Sequence, residues 1–123
     1  MRKIILIALS ALVLAACTVQ PIYRVEQVPV SRSNATQADV KAAIQRAGAA
    51  LGWEMRAVKD GLITGRLALR GHLAVVDIAY DAKQYSIVYK DSNNLNYDGN
   101  NIHRNYNGWI QNLDKGIRAQ LSL

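Results

Sequence analysis

The chain has 123 residues, a formal charge of +6 and one cysteine. That length holds a single domain. A lone cysteine excludes an intrachain disulfide, and the basic residues are too scattered for a nucleic-acid-binding arm.

The N-terminus reads Met1, Arg2, Lys3, then thirteen uncharged residues from Ile4 to Ala16. Two charges, an apolar run and small residues before a cut point are the pattern of an export signal, 1–16. The run is shorter than the roughly 20 residues a spanning helix needs. Leu14 to Cys17, LAAC, resembles the lipobox of bacterial lipoproteins. The resemblance implies cleavage before Cys17, a diacylglycerol thioether on its sulfur and acylation of its new amino group. Several acyl chains give stable membrane anchoring where one gives marginal binding. Lipoprotein sorting retains proteins with Asp after the lipidated cysteine in the inner membrane, so Thr18 implies the outer membrane, with the domain facing the periplasm. Removing Arg2 and Lys3 from the 15 basic residues leaves 13 against 9 acidic ones, a charge of about +4.

Residues 17–35 contain Pro21 and Pro29 and mixed polarity, which favour an extended tether. The apolar residues Val19, Ile22, Tyr23, Val25, Val28 and Val30 partly alternate, which also fits docking along a sheet edge. The folded domain is expected over 36–123. Thr36 is a good N-cap and Asp39 suits the positive end of a helix. Val40, Ala43, Ile44, Ala47 and Leu51 share one helical face, and Gly52 can stop it, so a helix is expected over 37–51.

Four alternating segments follow. Trp53, Met55 and Ala57 alternate up to an Asp60-Gly61 turn; Ile63, Gly65, Leu67 and Leu69 share a face up to Arg70-Gly71. His72, Ala74, Val76, Ile78 and Tyr80 share the next, and Tyr85, Ile87 and Tyr89 the last. Short strands with tight turns read as an antiparallel meander of about four strands. Tyr97 to Asn100 is a turn signal, and Asn100 or Asn101 can cap a second helix. Ile102, Tyr106, Trp109, Ile110, Leu113, Ile117 and Leu121 carry its apolar face. Gly108 inside that helix marks either a close backbone approach or an irregular start. The expected fold class is α+β, with an N-terminal helix, the meander, and a C-terminal helix packed on one sheet face.

The stretches RGHLAVVDIAY, YSIVYKDSNNLNYDG and IHRNYNGWIQNLDKGI, from Arg70 to Ile117, resemble small proteobacterial envelope lipoproteins. The resemblance implies an envelope address and a compact α+β domain, and carries no activity. Within this stretch the aromatic and amide-rich side chains Tyr89, Ser92, Asn94, Tyr97, His103, Tyr106, Asn107 and Trp109 are the candidate binding residues, and the lipobox makes Cys17 the candidate lipidation site.

Two histidines and one cysteine supply a structural zinc site poorly. His72 and Asp77 differ by an odd number of residues, so one regular strand points them to opposite faces and a triad with Ser86 is not expected. No catalytic residues, metal or cofactor are expected, and the chain is read as a non-catalytic protein. With six Tyr, two Trp and no Phe, every aromatic pairs an apolar body with a polar tip. The cluster is then either a hydrogen-bonded core under the last helix or a shallow groove near 85–109 for a glycan or peptide. Besides the membrane, the expected partner is an envelope protein or a cell-wall glycan, not nucleic acid.

Overall fold

Thr36 opens the first helix, α1 (Gln37–Ala50), with a reciprocal cap. Its Oγ1 accepts the Asp39 N–H at 3.1 Å, and the Asp39 carboxylate accepts the Thr36 N–H at 2.9 Å. That backbone hydrogen bond holds the Asp39 carboxyl below its ordinary range. Val40, Ala43, Ile44 and Ala47 are buried as expected. Leu51 departs from the expectation: the helix ends one residue earlier, and Leu51 is the C-cap and 42% exposed. A computed structural model describes residues 18–123; the expected signal segment 1–16 and the lipidation site Cys17 lie outside the described residues.

The meander forms as β3 (Glu54–Lys59), β4 (Leu62–Leu69), β5 (His72–Tyr80) and β6 (Gln84–Asn93), all antiparallel. Ile63, Leu67, Ala74, Val76, Ile78, Tyr85 and Ile87 point to one buried face. The other face carries Arg56, Thr64, Arg66, Asp77, Val88 and Lys90. There the Thr64 hydroxyl donates to Asp77 at 2.8 Å, and Lys90 Nζ lies 3.7 Å from the same carboxylate.

The segment expected as a tether is part of the fold. β1 (Val19–Pro21) pairs with β7 (Asn101–His103), and β2 (Val25–Pro29) adds to the free edge of β6, giving the order β2-β6-β5-β4-β3. Val25 and Val28 are buried. The prolines permit this because each ends a strand at a sheet edge, where a missing N–H breaks no interior ladder bond. Edge docking, the alternative for 19–30, is what the chain adopts.

The second helix, α2 (Arg104–Leu121), starts later than expected. Asn101 to His103 are drawn into β7, so His103 rather than an asparagine is the N-cap, its Nδ1 accepting the Asn105 N–H at 3.1 Å. Tyr106, Ile110, Leu113, Ile117 and Leu121 are buried against the sheet and α1. Two polar groups join them. The Tyr85 hydroxyl donates to buried Asp114 at 2.5 Å, and Arg118 Nε donates to the other Asp114 oxygen at 3.2 Å. Burial pushes the Tyr85 phenol well up, and the Asp114 carboxylate adds to the shift. Gly108 shows no close approach: a Cβ built there meets nothing within 4 Å. The fold is α+β with both helices on one sheet face.

Candidate functional site

Seven of the eight candidate residues fall into two clusters, and Asn107 stands apart. The first is aromatic. β6 presents Tyr89, whose ring centroid lies 4.0 Å from that of Tyr97 and 5.8 Å from that of Tyr106, the latter edge-on. The Tyr89 hydroxyl shares a 2.6 Å hydrogen bond with Ser92 Oγ. Tyr106 is buried, and burial pushes its phenol well up. Tyr97 is 38% exposed, and its hydroxyl donates to the Gly99 carbonyl at 3.3 Å. The loop that holds Tyr97 is fixed by buried Leu95 and by Asp98, whose carboxylate accepts the N–H groups of Asn100 and Asn101. Those bonds hold the Asp98 carboxyl below its ordinary range.

The second cluster is built around two imidazoles. His72 lies 5.5 Å from His103 and 6.1 Å from Trp109, ring to ring. The Asn94 carbonyl sits 2.7 Å from His72 Nδ1. A carbonyl only accepts, so that nitrogen carries the proton. His103 Nδ1, accepting the Asn105 N–H, is bare. Backbone groups thus place a proton on His72 Nδ1 and leave His103 Nδ1 bare. Asn94 sits at φ 61°, a left-handed conformation that asparagine tolerates, and its side chain donates to the Gly71 carbonyl at 3.2 Å.

Asn107 stands alone. It is buried, its Oδ1 accepts the Tyr23 N–H at 2.8 Å, and its Nδ2 donates to the Pro21 carbonyl at 2.9 Å. The side-chain amide substitutes for a peptide group and clamps the corner between β1 and β2 onto α2. Its role is structural, and its partners lay in the segment expected as a tether.

His72, Asp77 and Ser86 do not meet. Asp77 engages Thr64 and Lys90 on the open sheet face, and Ser86 Oγ accepts the Gln27 N–H at 2.8 Å. Among the described residues no group of three His, Cys, Asp or Glu side chains is placed to hold a metal ion.

One concavity touches the aromatic cluster. Ile22, Tyr23, Arg24 and Glu26 from the β1–β2 crossing face Ile87, Val88 and Tyr89 on β6, with Tyr97 at the side, around about 120 Å³. Of the candidate residues, Tyr89 and Tyr97 line it; Asn107 and Tyr106 lie beneath, in the core. Tyr23 and Arg24 were missed, and the alternating apolar residues of 19–30 were the available signal. The volume is below the roughly 300–1,000 Å³ of small-molecule sites and suits one inserted side chain.

Among the described residues no helix is long and apolar enough to cross a membrane. No curated protein and no solved structure matches the chain. Residues 1–18 match a family model described as a prokaryotic membrane lipoprotein lipid attachment site, which makes this a lipid-anchored bacterial envelope protein.

Proposed function

We propose that the anchored domain is a non-catalytic interaction module of the outer membrane, facing the periplasm, that grips an envelope protein by inserting a partner side chain beside Tyr23, Tyr89 and Tyr97. The observation that carries this reading is the use of the polar candidates. Asn107 holds the β1–β2 corner, His103 caps α2, His72 binds a backbone carbonyl and Tyr89 pairs with Ser92. What is left open is a small notch of tyrosine and aliphatic side chains, with both Arg24 and Glu26 along its lining. Tyrosine and arginine are the residue types that anchor protein interfaces. The resemblance to small proteobacterial lipoproteins supports the envelope setting. The second reading, a glycan site, draws on the exposed Tyr97 ring stacked at 4.0 Å on Tyr89, a ready platform for a sugar.

The two readings separate by NMR on the mature lipoprotein in nanodiscs. Peptidoglycan fragments and, separately, an envelope protein extract are added while the Tyr23, Tyr89 and Tyr97 signals are followed. Broadening with extract alone, lost in Tyr97→Ala, fits the protein partner. Localised shifts with the fragments would replace that reading by the glycan one. Silence with both would sink the notch as a site. The address has its own test: Thr18→Asp should move the protein from outer- to inner-membrane fractions on a density gradient. An unchanged distribution would overturn the outer-membrane assignment.

A further inference from the structure

The anchor meets the fold with no spacer between them. Thr18 is bonded to Cys17, and its carbonyl accepts the Arg104 N–H at 2.9 Å at the start of α2. Val19 already pairs with His103. Consecutive Cα atoms are about 3.8 Å apart, so the acylated residue is one step from the structured surface. A flexible tether over 17–35 would have let the domain wander by roughly 25 Å. The first strand removes that freedom.

The corner at this attachment point has the chemistry of a headgroup layer. His103 leads to His72 and His72 to Trp109 through the ring contacts at 5.5 and 6.1 Å. Asn94, bonded to both His72 and Gly71, brings the β4–β5 turn and its Arg70 to the same side. Arg70 and Arg104 are exposed, and the two ion pairs among the described residues involve neither. Arg70 holds φ at 54°, where a tight hairpin turn ordinarily places Asn or Gly. Trp109 is half-buried, and the space over Gly108 is open. Tryptophan and arginine are the side chains that settle at membrane interfaces. Asp98, an acidic group of the neighbouring loop, lies toward the other end of β1, next to the Asn101 that pairs with Pro21.

We propose that the corner formed by Arg70, His72, His103, Arg104, Gly108 and Trp109 rests directly on phospholipid headgroups beside the acyl chains of Cys17, giving the domain one fixed orientation on the membrane. This rests on lipid attachment at Cys17 and is independent of the aromatic notch. β5 then leads away from the bilayer, and its eight steps of about 3.3 Å put Tyr80, just before the turn at Asp81 to Lys83, about 26 Å from the His72 end.

The test uses the mature lipoprotein in vesicles of phosphatidylethanolamine and phosphatidylglycerol. The Cys17 sulfur is alkylated, so a single introduced cysteine takes a fluorophore alone. Labels go at Gly108→Cys, at Asn112→Cys one turn further along α2, and at Lys83→Cys. Lipids bearing a headgroup nitroxide then quench the labels. Quenching should fall in the order 108, 112, 83, with about a threefold difference between the extremes, since β5 alone separates the two ends by about 26 Å. Adding Arg70→Glu and Arg104→Glu should roughly halve quenching at 108 while the protein still floats with the vesicles. The Asn112 label keeps the test open where Gly108→Cys disturbs the helix. Equal quenching at 112 and 83 would show a freely tumbling domain, and the reverse order an inverted one; either overturns the seat. Protein that fails to float would remove the anchor itself, a failure separate from both.

Discussion

At the scale of single residues, buried Asp114 is held between the buried Tyr85 hydroxyl and the exposed Arg118 guanidinium. A hydrogen bond to a charged acceptor contributes about 1.5–3 kcal/mol, so Tyr85→Phe should destabilise the domain by about that amount at neutral pH, measured by urea unfolding. The same tyrosine sets an alkaline limit. The phenols of Tyr85 and Tyr106 are both raised in the folded state, chiefly by burial. Their stabilisation is complete below pH 10, the ordinary tyrosine value, and is lost as pH rises toward the folded values, because the unfolded chain releases protons first. Each contributes a downward slope of about 1.4 kcal/mol per pH unit above pH 10. Tyr85→Phe and Tyr106→Phe should each flatten unfolding free energy against pH between 10 and 11. Slopes identical to that of the unaltered protein would mean these phenols are not protected.

At the scale of elements, two glycines behave oppositely although both sit inside regular structure. Gly108 on α2 has open space where a side chain would go, so Gly108→Ala should stabilise by roughly 0.5–1 kcal/mol through helix propensity. Gly65 on β4 lies under Trp53: an added Cβ would come within 3.3 Å of the Trp53 ring and of Val76, and 3.1 Å of the Met55 sulfur. Gly65→Ala should cost about 1–3 kcal/mol by overpacking. Thermal unfolding of the two variants decides; a shift of the same sign in both would contradict the packing described. Sequence periodicity distinguished these elements well, because each spans several turns or alternations: α1, α2 and the four meander strands are all present, with α1 ending one residue early and Ile102 given up to β7 before α2 begins. β1 and β2 it offered only as an alternative to a tether, without their partners, and β7 it missed. They are three to five residues long and owe their existence to partners far along the chain, Val25 opposite Ile87 and Val19 opposite His103. The candidate site blurred for the same reason. Asn107 looks like a binding amide until its partners Pro21 and Tyr23 are known, and the notch is half built from that segment.

At the scale of the whole molecule, the two N-terminal strands decide where the domain begins. β2 shields the edge of β6, which would otherwise present unpaired backbone groups to other chains. Val25 and Val28 are 3% and 7% exposed, and burying a valine stabilises by about 1.5 kcal/mol or more. Without β1 and β2, Asn107 would also lose the backbone partners of its buried amide, a cost of about 1–3 kcal/mol. Together these approach the whole stability of many small domains, roughly 5–15 kcal/mol. A fragment starting at Ser33, just ahead of the boundary expected before residue 36, should therefore be unfolded or aggregate at room temperature, while residues 18–123 unfold cooperatively. Circular dichroism melting with light scattering on both fragments is the measurement. Equal midpoints would mean the strands dock without supporting the core, and the spacer-free attachment to Cys17 would lose its rigidity. A large difference would tie anchor and fold into one unit, since β1 begins at Val19, directly after the residues 1–18 that match a lipid attachment site.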